Sequence, residues 1–316
     1  MQGLRVVAIG GGSGLAVLLR GLKHHVGAGV SELTAVVTVS DDGGSSGRLR
    51  RDFGVPPPGD IRNCIAALAD DEALLARLFQ YRFVSGEGLS GHSFGNLLLT
   101  ALTGITGDFY QAILTAESIL SVRGRILPAT LTDVRLSATG HSGETYQGES
   151  AIGASGEPIA KLTMEPAGAV AFPAAVQSIE KADLILLGPG SLYTSIVPNL
   201  LIAGIRRAVR SSQGLKALLL NLMTQPGETD GMDAAAHYSA VSRYLGADII
   251  DRVLVHSGEL DPERLAPYAD QGARPVRRGD GDFGRVQCVQ RDLLADGELI
   301  RHDSAKLAAA ALALVA

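Results

Sequence analysis

The chain has no tryptophan, and aromatic residues make up only 4% of it. A core built without large rings is aliphatic and layered, the texture of helices packed on a sheet. Cysteine is nearly absent as well. Cys64 and Cys288 stand far apart and fit neither a CxxC pair nor a zinc spacing, so they read as buried thiols in a reducing compartment. A basic excess is missing too: the net charge is −5, whereas nucleic-acid binding asks for a basic face. Long uninterrupted apolar runs are also lacking. The longest charge-free stretch, Leu184–Ile205, is broken by Pro189, Pro198, Asn199 and three glycines, and makes a poor membrane span. The start MQGLRVVAIGGG lacks a signal-peptide layout, and the Ala-rich Lys306–Ala316 is too short to span and reads as a terminal helix. The expectation is a cytoplasmic protein with no nucleic-acid and no membrane partner; a homodimer is compatible with the sequence.

Apolar residues, by contrast, reach 46% of 316 residues, enough for a sizeable core in one large domain or two small ones. Glycine is abundant at 39 residues and gathers at the ends of predicted strands. Arg5–Ile9, Leu33–Val39, Asp183–Leu187, Lys216–Asn221 and Arg252–His256 are short apolar strands, and helical spacing follows most of them. This alternation predicts an α/β fold with a doubly wound, mostly parallel, Rossmann-like sheet. From about 125 to 165 the texture changes to ILPATL, VRLSAT, TYQGESAI and IAKLTME, which reads as an antiparallel β insertion within a single domain over residues 1–316.

Three strand-end loops share one chemistry of small residues, hydroxyls and free backbone N–H groups. The first is Gly10-Gly11-Gly12-Ser13-Gly14, which opens the helical LAVLLRGLKH. Strand, glycine turn and helix aim N–H donors at an anion, although a tight structural turn has the same look. GxGxxG fails because position 15 is Leu, and GxxxxGK[ST] is absent, which speaks against a dehydrogenase and a P-loop enzyme. The second loop is VSDDGGSSGRLRRDFGVPPPGDIRN, residues 39–63. Asp41 and Asp42 suit a hydrated divalent cation such as Mg²⁺ or the orienting of a hydroxyl nucleophile, or else cap a helix. Gly43–Gly47 reads as a turn that leaves Ser45 and Arg48 facing a ligand, and Asp60 and Asn63 open the next helix. The third is Gly188-Pro189-Gly190-Ser191, followed by Thr194 and Asn199. Between them lies GLSGHSFGN, where Ser93 is a plausible N-cap with His92 and Asn96 beside it. A parallel sheet brings such loops to one edge, which points to a nucleotide or sugar phosphate.

Taken together, GGGSGL, VSDDGGSSGRLR, PPGDIRN, GHSFGNLLL, GPGSLYTSIVPNLL, NLMTQPGET and RHD resemble the bacterial gluconeogenesis factor family (YvcK type). That family lies within the superfamily of CofD-like 2-phospho-L-lactate transferases. The resemblance runs from Val6 to about Asp303. It implies a cytosolic protein needed for growth and cell shape on gluconeogenic carbon, and binding of UDP-sugars, notably UDP-N-acetylglucosamine. It also implies that Gly10–Gly14 is the phosphate loop, that Gly188–Ser191 lies beside the ligand, and that Tyr268 and Arg301 meet the uridine sugar. Asp41 and Asp42 match the acidic pair that meets the acceptor in the transferase branch, where they would be catalytic. GPGSLYTS stands here where that branch typically reads GPSNPxTS, and PPPGDIRN looks like the gluconeogenesis branch. Two readings follow: a regulatory UDP-sugar binder, or a transferase of a phospho-organic group from a nucleoside diphosphate, with Mg²⁺ as its only implied cofactor.

Overall fold

The computed structural model describes residues 3–70 and 73–315. Strand β1 (Leu4–Gly10) leads into α1 (Gly12–Leu22) and then β2 (Val30–Val37). Five helices follow, α2 (Gly44–Phe53), α3 (Gly59–Leu68), α4 (Ala73–Gln80), α5 (Phe94–Thr106) and α6 (Phe109–Ile119), before β3 (Arg125–Pro128). An excursion comprises β4 (Arg135–Gly140), β5 (Thr145–Gln147), α7 (Glu149–Ala154) and β6 (Ile159–Glu165). The winding resumes with α8 (Pro173–Lys181), β7 (Leu184–Leu187), α9 (Val197–Leu201), α10 (Ala203–Ser211) and β8 (Leu215–Leu219). It ends with α11 (Ala234–Leu245), β9 (Arg252–His256), α12 (Pro262–Ala269), β10 (Gln287–Arg291) and α13 (Ser304–Leu312).

Seven strands form one sheet in the order β10-β9-β8-β7-β1-β2-β3, and their pairings are parallel. From β1 the chain winds outward through β2 and β3, then returns to β7 on the other flank and winds the opposite way. The reversal leaves a crevice at the carboxyl ends of β1 and β7, the topological switch point. Alternation along the strands explains the two layers. Val6, Ala8, Leu184 and Leu186 face one apolar cluster, which α1, α3 and α13 cover. Val7, Ile9, Ile185 and Leu187 face the other, with α8–α11 and the excursion. Both faces are covered, which is why the central strands read as continuous apolar runs. Among the described residues, no helix is long and apolar enough to cross a membrane.

The doubly wound sheet and the antiparallel unit β5-β4-β6 are as the sequence predicts. Four boundaries differ. β3 pairs with β2 in the main sheet, so the insertion begins only after it. TYQGESAI is not all strand: residues 149–154 turn into helix α7. Gly43–Gly47 is not a free turn, because α2 begins at Gly44. The helix expected over LLIAGIRRAV is broken between α9 and α10, where Ile202 is extended with ψ 108°. Cys64 is buried and Cys288 half-buried, and both are free thiols.

Helices α1 and α13 touch through Gly21. A Cβ at Gly21 would strike the Ser304 carbonyl oxygen and approach the Ala308 Cβ to 2.8 Å. Gly21→Val is therefore expected to push α13 off the sheet and lower stability by about 1–3 kcal/mol through overpacking, read as a fall in the urea midpoint. An unchanged midpoint would show that α13 yields freely.

Candidate functional site

The first and third glycine loops meet at the switch point. The Gly188 N–H donates to the Ile9 carbonyl at 2.9 Å, which ties the two strand ends. Gly14, in the first turn of α1, lies against the facing loop: a Cβ there would be 2.5 Å from the Pro189 oxygen and 2.9 Å from the Gly190 nitrogen. Gly11 is as tightly placed, with Asp60 Oδ2 at 2.5 Å and Thr38 Cγ2 at 2.6 Å from such a Cβ. Gly12 has φ +64°, and Ser13 is exposed. Asn221 clamps Gly190 from both sides: its Oδ1 accepts the Gly190 N–H and its Nδ2 donates to the Gly190 carbonyl, each at 3.0 Å. Asn199 is fully buried and donates to the carbonyls of Gly10 (3.3 Å) and Ser195 (2.8 Å). Ser191 caps the next turn by accepting the Thr194 N–H at 3.1 Å, and its hydroxyl donates to Glu228. The first N–H groups of α1 have no partner within the helix, and the helix dipole favours negative charge in front of them.

Carboxyl groups collect beside this corner. Asp41 accepts the Gly43 N–H at 2.9 Å, and its other oxygen would be 2.7 Å from a Cβ on Gly59. Asp42 accepts the Ser150 N–H at 2.9 Å, so it caps the short helix α7 from far away in sequence. Asp60 sits in the first turn of α3. Burial, then the Asp41 charge, pushes its pKa up to about 6. Glu149 is delivered by the insertion. Burial and the charges of Asp60, Asp41, Asp42 and Glu228 push it up to about 9, and its Oε2 is buried with no partner. Burial also raises Glu228. Among the described residues no three carboxyl, imidazole or thiol groups stand ready as a metal shell. The donors suit a Mg²⁺ that keeps most of its waters and takes one or two carboxylates, not a dehydrated cage.

On the β2 side, a buried relay starts at Asn96. Its Nδ2 donates to Ser45 Oγ at 3.0 Å, and Ser45 lies 2.9 Å from His92 Nδ1. The Ser45 hydroxyl thus bridges Asn96 on α5 and the His92 ring. Burial and the Arg48 charge lower the His92 pKa, which keeps this imidazole neutral. Arg48 is half-buried and donates to the Ser90 carbonyl at 2.7 Å, while Asn63 accepts from Arg62 at 2.8 Å.

Tyr268 and Arg301 form a separate group on the β8–β9 flank. The Tyr268 hydroxyl accepts the Ile300 N–H at 3.1 Å, and the neighbouring Arg301 side chain is exposed. Glu149, Glu228, Arg62 and Asn221 belong to the site neighbourhood but were not among the candidates from sequence. Glu228 and Arg62 lie inside the motifs NLMTQPGET and PPGDIRN, which offered a signal; Glu149 had none. An open groove of about 480 Å³ at the opposite, amino edge includes Arg5, Glu32, Arg125 and Lys181, but Arg5 is already held by Asp183 at 2.7 Å.

The profile of the 2-phospho-L-lactate transferase CofD family matches residues 6–294. The chain is similar to a Nostoc sp. relative, 49% identical over 97% of this chain and 68% of the relative. It is similar to the gluconeogenesis factor of Bacillus subtilis, 44% identical over 96% of each chain. The crystal structure of protein BH3568 from Bacillus halodurans superposes with a TM-score of 0.93 at 42% identity, covering 98% of this chain and 100% of that one.

Glu149 sets a pH dependence. Unfolded, this carboxyl ionises near 4.5; folded, it holds its proton up to about 9. Between those values the folded state binds more protons, so the Glu149 contribution to stability declines as pH rises. Glu149→Gln is expected to flatten the fall of Tm between about pH 5 and about pH 9, with the gain over the parent largest at the alkaline end. Parallel profiles would mean that Glu149 is ionised in the fold.

Proposed function

The chain belongs to the 2-phospho-L-lactate transferase CofD family, among its gluconeogenesis factors, and from that premise we propose that it acts by binding a UDP-sugar of the UDP-N-acetylglucosamine class. The packing of Gly14 on Pro189 carries this reading: it sets the amino end of α1 directly against the Gly188–Ser191 loop, a corner lined by glycines and small hydroxyl side chains. The diphosphate lies against the start of α1 and the Gly188–Ser191 loop. Tyr268 packs on the uracil, and Arg301 forks onto diphosphate oxygens. Binding favours one conformation by differential affinity and so supports growth and cell shape on gluconeogenic carbon.

Stabilisation should grow with the logarithm of UDP-N-acetylglucosamine concentration, reaching about 2.7 kcal/mol at a hundredfold excess over Kd. Tyr268→Ala and Arg301→Ala should each weaken binding by roughly tenfold or more, the loss of about one stacking or charge-assisted contact. A thermal-shift titration reads both. A flat titration at millimolar ligand overturns the proposal.

The acidic group favours a second reading. Asp41, Asp42, Asp60 and Glu149 are more carboxyl groups than a diphosphate needs. In a transferase, Asp41 or Asp42 orients an acceptor hydroxyl or holds Mg²⁺, which would offset charge on the phosphoryl oxygens. The hydroxyl oxygen bonds to phosphorus as the bond to the nucleoside monophosphate breaks. A nucleoside-monophosphate assay with Mg²⁺ and hydroxyl acceptors tests this. Turnover that Asp41→Asn abolishes supports it, and a preparation that binds UDP-sugar but never releases UMP or GMP rejects it.

A further inference from the structure

We propose that a second oxyanion subsite lies beside the acidic group, floored by Arg62 and rimmed by Arg48 and Arg82, and that it receives the carboxylate or phosphate of a small, hydroxyl-bearing ligand. It goes beyond the diphosphate reading and does not depend on it.

Two buried polar atoms without partners locate the subsite. Arg62 is only 9% exposed. Its side chain lies flat over Gly95, where a Cβ would come within 2.9 Å of its Cγ and Cδ. One terminal nitrogen donates to Asn63, but Nε has no partner. Asn96, the residue after Gly95, is 2% exposed, and its Oδ1 also has no partner. Leaving a buried donor or a buried acceptor unmet is costly, so such pairs persist where something arrives to fill them.

The surrounding charge shows what arrives. Arg48 comes from α2, and Arg82 from the segment 81–93, which folds back on itself through the Phe83 N–H to His92 carbonyl (2.9 Å) and Gly91 N–H to Phe83 carbonyl (2.8 Å) bonds. Arg82 donates to the Gly91 carbonyl at 2.6 Å and Arg48 to the Ser90 carbonyl at 2.7 Å. Each guanidinium is thereby held by a neutral group and keeps its charge unmatched. Among the described residues none of the three arginines is in an ion pair. Burial and Arg82 lower the Arg62 pKa, while Asp60 and Asp41 act in the opposite sense from a distance. Arg62 thus stands between a cation it repels and two carboxylates it does not touch. An oxyanion bound by Arg62 Nε and Arg82 would relieve the first contact without losing the second.

Asn96 Oδ1 adds specificity. It accepts only, so it rejects a bare anion and asks for a hydroxyl or amide donor. The neutral His92, fixed through Ser45, stands on the same wall. The matching ligand carries an oxyanion for the arginines and a hydroxyl for Asn96, and lies alongside Asp41.

The test uses full-length protein saturated with UDP, so that the glycine corner is filled. Inorganic phosphate, malate and glycerol 3-phosphate are titrated in turn, with thermal shift and ³¹P line width as readouts. Malate and glycerol 3-phosphate distinguish a carboxylate ligand from a phosphate one. We expect a further shift with at least one hydroxyl-bearing probe, exceeding that with inorganic phosphate. In Arg82→Ala and in Arg62→Gln this shift should weaken about tenfold, the loss of one charge-assisted contact, with the UDP response intact. Arg82 is exposed, so its variant decides the matter even if the Arg62 variant does not fold. Absence of any probe response, or an equal response in Arg82→Ala, overturns the proposal. If UDP alone gives no shift, the nucleotide reading fails, and the Arg82-dependent response still decides this one.

Discussion

The molecule depends on the contact between two glycine-rich turns. β1 and β7 are neighbours whose following elements depart to opposite faces of the sheet, and the crevice between them stays narrow only because Gly14 lies on Pro189. Any Cβ at position 14 would separate the turns. Separation would carry away the N–H groups at the start of α1, the Gly190 amide held by Asn221, and the Asn199 bond to Gly10. Asp60 depends on the same closeness, since its carboxyl fills the space beside Gly11 that a side chain would otherwise occupy. Ligand geometry and fold geometry are therefore one constraint at this rim.

A second consequence is electrostatic. Helices α1, α2, α3 and α7 all begin at this rim, and their amino ends carry partial positive charge. That field makes a concentration of carboxyl groups tolerable. Asp41 and Asp42 take backbone N–H groups at the starts of α2 and α7, and Asp60 lies in the first turn of α3. Glu149, deepest among its neighbours' charges, remains protonated instead. The rim thus holds carboxyl groups tethered to backbone N–H donors, placed to orient a cation or hydroxyl, beside a neutral one that can donate a proton.

Much of this architecture was readable in advance because it is local. Apolar runs such as Val6–Ile9 and Leu184–Leu187 declare buried parallel strands, and glycine at their ends declares turns. The parallel arrangement puts the three strand-end loops at one edge, where the structure also brings them. What escaped was long-range. α2, GGSSGRLRRDF without its first glycine, is too poor in apolar residues to look helical; it is fixed by Gly47 packing on the Asp42 carbonyl. α7 is six residues long and is capped by Asp42, 108 positions earlier, so neither the helix nor the role of Glu149 shows in GESAIGA. RILP is short enough to pass for part of the insertion, and only its pairing with β2 assigns it to the main sheet. Arg62 was visible as a residue, but its unmet Nε depends on Gly95, which arrives from another helix.

The acid group and the arginine group are next to each other yet do not neutralise each other, and this bears on what the site is for. If their purpose were only to stabilise the fold, direct ion pairs would be the simplest arrangement, as Arg5 and Asp183 form at the amino edge. Instead Arg48 and Arg82 are tethered to carbonyls, and Asp41 and Asp42 to N–H groups, each by a neutral partner that fixes direction without cancelling charge. Backbone tethers of this kind hold opposite charges a short distance apart at little cost in reorganisation. The space between them is suited to a molecule that is itself dipolar: anionic at one end, hydroxylated at the other. A diphosphate at the glycine corner would then be one of two ligands whose reactive or signalling ends meet over Asp41 and Asp60.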